Sequence, residues 1–200
     1  MRKVRWEEMF RDELEAAIAE RPVCYLAYGL AEPHGVQNAL GLDGLKAQAI
    51  VERAAVEHGG VVAPMTWWHV HETPLGTHWL ASQNAPVTYL TDVPAEIFLH
   101  QLVYQLRAAE IAGFRAAVLV TGHYGGIEVD MKMVAQAYMA RRPLRLAAHA
   151  VCTCCTRAGV ETVASGRTNK PPVSGDYAPS WLHLWFFRRM MRAALIRSLA

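Results

Sequence analysis

Val23-Cys-Tyr-Leu-Ala-Tyr28 is followed four residues later by Glu32-Pro-His34-Gly35, and Asp43 stands nine positions beyond the histidine. Six consecutive apolar or aromatic residues read as a strand buried on both faces, as in a parallel sheet. The arrangement recurs at Ala116 to Val120, which runs into Thr121-Gly122-His123-Tyr124-Gly125-Gly126. Each strand thus releases a loop carrying a histidine and a glycine. In α/β proteins such loops gather at the carboxyl ends of parallel strands, where ligands bind.

The flanking segments alternate in type. Met9, Phe10, Leu14 and Ile18 predict a helix over Trp6 to Ile18, ended by Arg21-Pro22. A helix is expected from Gly44 to His58, closed by Gly59-Gly60, and then a short strand from Val61 to Pro64. Pro94 to Ile111 reads as a helix, Ile127 to Arg141 as another, and Leu144 to Val151 as a strand. Trp67 to Pro86 has no clean period and concentrates aromatic and histidine residues, which suits a loop lining a pocket. Gly159 to Gly175 reads as a long polar loop. Trp181 to Leu199 reads as a helix with an arginine edge, packed on the domain or at a subunit contact. The expected architecture is a three-layer α/β/α sandwich with a mostly parallel sheet, one domain over residues 1–200.

Composition narrows the function classes. The chain has 200 residues, 52% of them hydrophobic and 19% charged, enough for one domain with a sizeable core. A net charge of +2 gives no footprint for nucleic acid. No apolar stretch reaches the roughly 20 residues of a membrane span. The N-terminus lacks the apolar region of a signal peptide, so a cytoplasmic location is expected. Cys152, Cys154 and Cys155 lie in or beside an apolar stretch without a second C-x-x-C, and are expected to be buried, reduced thiols.

Glu32, His34, Asp43 and His123 supply two carboxylates and two imidazoles, the ligand types of a hydrolytic divalent metal. Each one alone is equally compatible with a hydrogen-bonded loop residue. An aspartate such as Asp43 can bridge two ions held about 3.5–4 Å apart. The aromatic loop offers Trp68 and His71, with His69 and His78 as further imidazoles.

Glu32-Pro-His34-Gly35 with Asp43, Gly76-Thr77 after Pro74, and Thr121-Gly-His123-Tyr-Gly-Gly126 together resemble the creatininase family of amidohydrolases. The likeness runs in order from about Trp6 to Trp181. It implies a single α/β/α domain, a centre of one or two Zn or Mn ions (iron in some members), and hydrolysis of a non-peptide C–N bond in a small, often cyclic, amide. It also implies a homo-oligomer, in the family a hexamer. Carried over by position, Glu32, Asp43 and His123 would hold one metal, and His34 and Asp43 the other, with Asp43 bridging. Trp68, Thr77, Tyr124, Asp176 and Trp181 would contact substrate.

The likeness weakens at Gly175-Asp176-Tyr177-Ala178-Pro179-Ser180-Trp181-Leu182. Tyr177 stands where the family carries an acid/base histidine, and Leu182 where a glutamate completes the second metal. Glu128 and Glu161 are other carboxylates, and neither occupies a family position. Tyr124, Tyr177 or His71 is then left to protonate the leaving nitrogen. A phenol of ordinary pKa near 10 can donate a proton but is a poor base. A non-catalytic member binding a small metabolite, or a lactone or ester hydrolase on the same metal, is the alternative expectation.

Overall fold

The computed structural model describes residues 3–71, 90–123 and 127–150, all within one compact unit. A single 3-10 turn at Trp6–Glu8 precedes α1 (Arg11–Glu20). There follow β1 (Val23–Tyr28), α2 (Leu42–His58), β2 (Val61–Val62), α3 (Ala95–Ala112), β3 (Ala116–Thr121), α4 (Ile127–Met139) and β4 (Arg145–Ala150). The four strands are parallel, in the order β2-β1-β3-β4.

Burial explains both layers. All six residues of β1 are buried, as its unbroken apolar run requires. Cys24, Leu26 and Tyr28 share one core cluster with Ala117 and Leu119 of β3, Ala17 of α1, Phe98, Leu102 and Leu106 of α3, and Ile127 and Met131 of α4. The alternate residues Val23, Tyr25 and Ala27 are equally buried and lie outside that cluster. They face α2, whose Ala47, Val51, Ala54 and Ala55 are buried at helical spacing. Helices therefore cover both faces of a parallel sheet, the expected three-layer sandwich.

The strand order also fixes where a ligand site can form. From β1 the chain crosses to β2 on one side, and from β3 it crosses to β4 on the other. β1 and β3 are neighbours, in register from Val23↔Ala116 to Tyr28↔Thr121. Their carboxyl ends thus flank the point where the winding reverses, the crevice in which open α/β sheets bind ligands.

Several boundaries move from the sequence expectation. The predicted Trp6–Ile18 helix is interrupted because Phe10 is extended (ψ 164°) and donates its N–H to Glu13 at 2.8 Å, and α1 then continues to Glu20. α2 starts at Leu42, which puts Asp43 in its first turn, where a carboxylate favours the helix dipole. β2 is shorter than Val61 to Pro64, since proline has no N–H for the ladder. Bonds from Ala63 N–H to Tyr25 (2.8 Å) and Thr66 N–H to Ala27 (3.2 Å) keep this chain alongside β1 on both sides of Pro64. The loop expected at Gly159 to Gly175, the helix expected at Trp181 to Leu199, and the thiols Cys152, Cys154 and Cys155 lie outside the described residues. No described helix is long and apolar enough to cross a membrane.

Candidate metal centre

Three backbones meet at the switch point without side chains between them. A Cβ on Gly122, just past β3, would lie 2.0 Å from the Asp43 carbonyl oxygen, and one on Gly29, just past β1, 2.4 Å from the Gly44 nitrogen. On its other side, Gly44 meets the Trp67 ring, where a Cβ would lie 2.4 Å away. The first turn of α2 is therefore wedged against both strand ends, and Asp43 is buried with it. Gly122→Ala is expected to cost about 2–3 kcal/mol, the upper part of the overpacking range, because both partners are backbone. In a chain of this length that is a fall in Tm of about 5–10 °C, readable by calorimetry.

Into this wedge the two loops deliver their ligand-type side chains. His123 Nδ1 lies 3.0 Å from Asp43 Oδ2 and 3.1 Å from Glu32 Oε1. His34 Nε2 lies 3.4 Å from Asp43 Oδ1 and 3.3 Å from Glu32 Oε1. Asp43 thus turns one oxygen to each imidazole. Lys46, one turn along α2, approaches Oδ1 at 3.3 Å. Glu32 presents its second oxygen to His71 Nε2 at 3.2 Å.

The loop geometry is held from several sides. Glu32 N–H donates to the Leu40 carbonyl at 2.9 Å, closing the loop that carries His34. Thr91 Oγ1 accepts from Ala31 N–H at 2.8 Å and donates to the Trp67 carbonyl at 2.6 Å, joining that loop to the aromatic segment. Thr121 Oγ1 accepts the His123 N–H at 3.1 Å and lies 3.1 Å from His69 Nε2. His69 in turn directs Nδ1 to the Val70 carbonyl at 2.9 Å, so Nδ1 carries the proton and Nε2 accepts from the threonine.

His69 is fully buried against Phe98, with ring centroids 4.5 Å apart. Burial pushes it down from 6.5 to about 4, against the opposing bond to Val70. It is a structural imidazole, not one of the free loop histidines the sequence offered. Because the folded value lies below the unfolded one, its contribution is complete above pH 6.5 and lost as pH falls toward 4. The shift corresponds to at most about 3 kcal/mol. His69→Gln is expected to destabilise the protein more at pH 7.5 than at pH 4.5 in urea unfolding. Equal losses at both would contradict this.

Two carboxylates and their basic partners set the charge of the centre. Burial disfavours a charged His123, but hydrogen bonds to Asp43 and Glu32 outweigh it and raise the ring to about 9. Burial likewise works against an ionised Asp43, yet its bond to His123 and the nearby Lys46 hold it below the ordinary carboxylate range. His34 Nδ1 lies 3.0 Å from the Glu32 carbonyl oxygen, and its Nε2 faces two carboxylate oxygens. Two carboxylate oxygens and an imidazole nitrogen turned toward one another offer donor atoms of the kind a divalent ion takes.

Glu32, Asp43 and His123 fit a divalent ion in donor type and spacing. Their ligand atoms lie within 4.8 Å of one another, and Asp43 and His123 are buried. Ligand arms of about 2.1 Å span about 3.0 Å at a right angle and about 3.4 Å at a tetrahedral angle. The separations of His123 Nδ1 from the two carboxylates, 3.0 and 3.1 Å, lie at the right-angle end of that interval. His123 Nε2 is buried without a hydrogen-bond partner among the described residues.

The other sequence candidates divide. Trp68 is exposed, and His71 is partly buried beside the His123 ring, with centroids 5.6 Å apart. Glu128 pairs with Lys132 along α4 and is not part of the ligand group. Thr77, His78, Tyr124, Glu161, Asp176, Tyr177, Trp181 and Leu182 lie outside the described residues. Sequence reasoning missed Thr121, Thr91, Lys46 and the wedge glycines. Of these, Gly29 and Gly122 left a trace in the sequence, at the ends of the two strand-forming runs.

Residues 7–176 match the family model described as creatinine amidohydrolase. The chain belongs to the creatininase family. Solved structures with the same fold include a creatinine amidohydrolase (creatininase), at 19% identity and TM-score 0.59 over 77% of this chain and 59% of that one. A manganese creatininase is 20% identical with TM-score 0.56, covering 72% and 58%. A putative creatinine amidohydrolase from Bacteroides fragilis is 17% identical with TM-score 0.56, covering 76% and 56%. A mutant creatininase of zinc–zinc type is also similar, at 20% identity and TM-score 0.57, covering 74% and 58%. This creatininase-family chain spans just under three fifths of the length of each. No curated protein matches it.

Proposed function

We propose that this chain is a metal-dependent hydrolase of a non-peptide C–N bond in a small cyclic amide. The observation that carries the reading is the placement of Asp43, with one oxygen toward His123 and the other toward His34, beside Glu32 at the switch point. Membership of the creatininase family supports it. Manganese and zinc forms of similar structures favour those two metals.

Glu32, Asp43 and His123 would hold the ion. When bound, such an ion supplies Lewis acidity toward a carbonyl and a water acidic enough to attack near neutral pH. The chain's own groups do the rest. His71 Nε2 lies 3.2 Å from Glu32 Oε2, which orients the ring at the edge of the centre. His71 is assigned to protonate the leaving nitrogen, with Tyr124 and Tyr177 as phenol donors to the same atom. Trp68, Thr77, Tyr124, Asp176 and Trp181 are assigned to the substrate. Aromatic walls with few polar groups suit a small, planar ring. A cytoplasmic homo-oligomer, hexameric as the family resemblance implies, belongs to the same proposal.

The test is turnover of a panel of lactams, formamides, creatinine and lactones by protein loaded with Zn or Mn. Hydrolysis of an amide member is the expected result. Turnover of lactones alone points to an ester hydrolase on the same site. A folded, metal-loaded protein inert to the whole panel points to a binding protein and overturns the reading.

A further inference from the structure

The two sides of Asp43 differ in what already balances its charge. Oδ2 faces His123, at 3.0 Å. Oδ1 faces both His34 Nε2 at 3.4 Å and the Lys46 ammonium at 3.3 Å. Lys46 reaches this oxygen because it follows Asp43 by three positions on α2, which puts both on one helix face. Its side chain is 14% exposed, so the charge is directed into the centre rather than left in solvent.

His34 shares that oxygen. With Nδ1 3.0 Å from the Glu32 carbonyl, its Nε2 faces Asp43 Oδ1 and Glu32 Oε1. In a two-ion centre these three atoms would be offered to the second ion. Here a fixed ammonium already stands on the shared oxygen. The residue expected from the family resemblance to complete a second ion's shell, at position 182, is a leucine. A divalent ion beside His34 would have neither that carboxylate nor relief from repulsion by Lys46.

We infer that the Lys46 ammonium occupies the electrostatic role of the second metal, so that the centre holds a single divalent ion, on Glu32, Asp43 and His123. Lys46 is a positioning residue: it neutralises Oδ1 and leaves Oδ2 and Glu32 to the ion. The inference rests on the metal reading given above, and metal stoichiometry separates the failure of one from that of the other.

The experiment loads full-length protein with excess Zn or Mn, removes free metal by desalting, and counts bound ions by mass spectrometry, with calorimetric titration for affinity. Wild-type protein and Lys46→Arg, which keeps the charge, are each expected to retain one equivalent. Lys46→Met removes the charge at similar length and is expected to take up a second equivalent. Its affinity there should exceed the wild type's by about ten- to a hundredfold, the usual scale of outer-shell effects on metal sites. Two equivalents in the wild type overturn the inference and leave the metal reading standing. One equivalent in both wild type and Lys46→Met, with Lys46→Met folded by circular dichroism, also overturns it, since Lys46 is then not what limits occupancy. No uptake by any of the proteins overturns both.

Discussion

Asp43→Asn is expected to lower metal affinity by more than about a hundredfold and to abolish turnover. Removing an outer partner of a ligand costs about 10–100-fold, and Asp43 is placed as a ligand itself. The change is nearly isosteric, so α2 and its wedge against Gly29 and Gly122 stay packed, and only charge is lost. An amide offers one acceptor oxygen where the carboxylate offers two. It can meet His123 or His34, but not both as the observed 3.0 and 3.4 Å contacts require. Its NH2 group would also face Lys46, donor against donor. Metal content and rate should therefore fall together while the thermal transition stays cooperative. Retained metal with retained rate would remove Asp43 from the centre.

His71→Gln separates chemistry from binding. General acid catalysis contributes about 10²–10⁴-fold, so kcat is expected to fall by that order. Metal content should stay near the wild-type level, because His71 meets Glu32 through the oxygen that His123 does not use. KM should change little, since the ring is assigned to the leaving group and not to substrate affinity. A loss of metal in step with the loss of rate would make His71 an orienting partner of Glu32 instead.

Much of this site was legible because strand ends and ligand-type residues coincide in the sequence. Val23 to Tyr28 and Ala116 to Val120 announce buried parallel strands, and the loops after them carry Glu32, His34 and His123. Asp43 was found by spacing, although its place inside α2 was not, because a helix start depends on local backbone more than on composition. What stayed hidden depends on long-range contact. Nothing in the sequence says that Thr121 will seat His123 against His69, or that the Trp67 ring will cover Gly44. His69 and His71 look alike in the chain, two positions apart. The fold buries one against Phe98 and turns the other toward Glu32. Lys46 was invisible for a simpler reason: a lysine one turn along a helix reads as a solvated charge until its neighbours are known.

The central claim is that Glu32, Asp43 and His123 together hold a divalent ion. Anomalous diffraction from crystals of the manganese-loaded protein tests it most directly. An anomalous peak is expected within about 2.0–2.3 Å of oxygens of Glu32 and Asp43 and of a His123 ring nitrogen. A peak elsewhere, or full loading with no peak among these three residues, would contradict it.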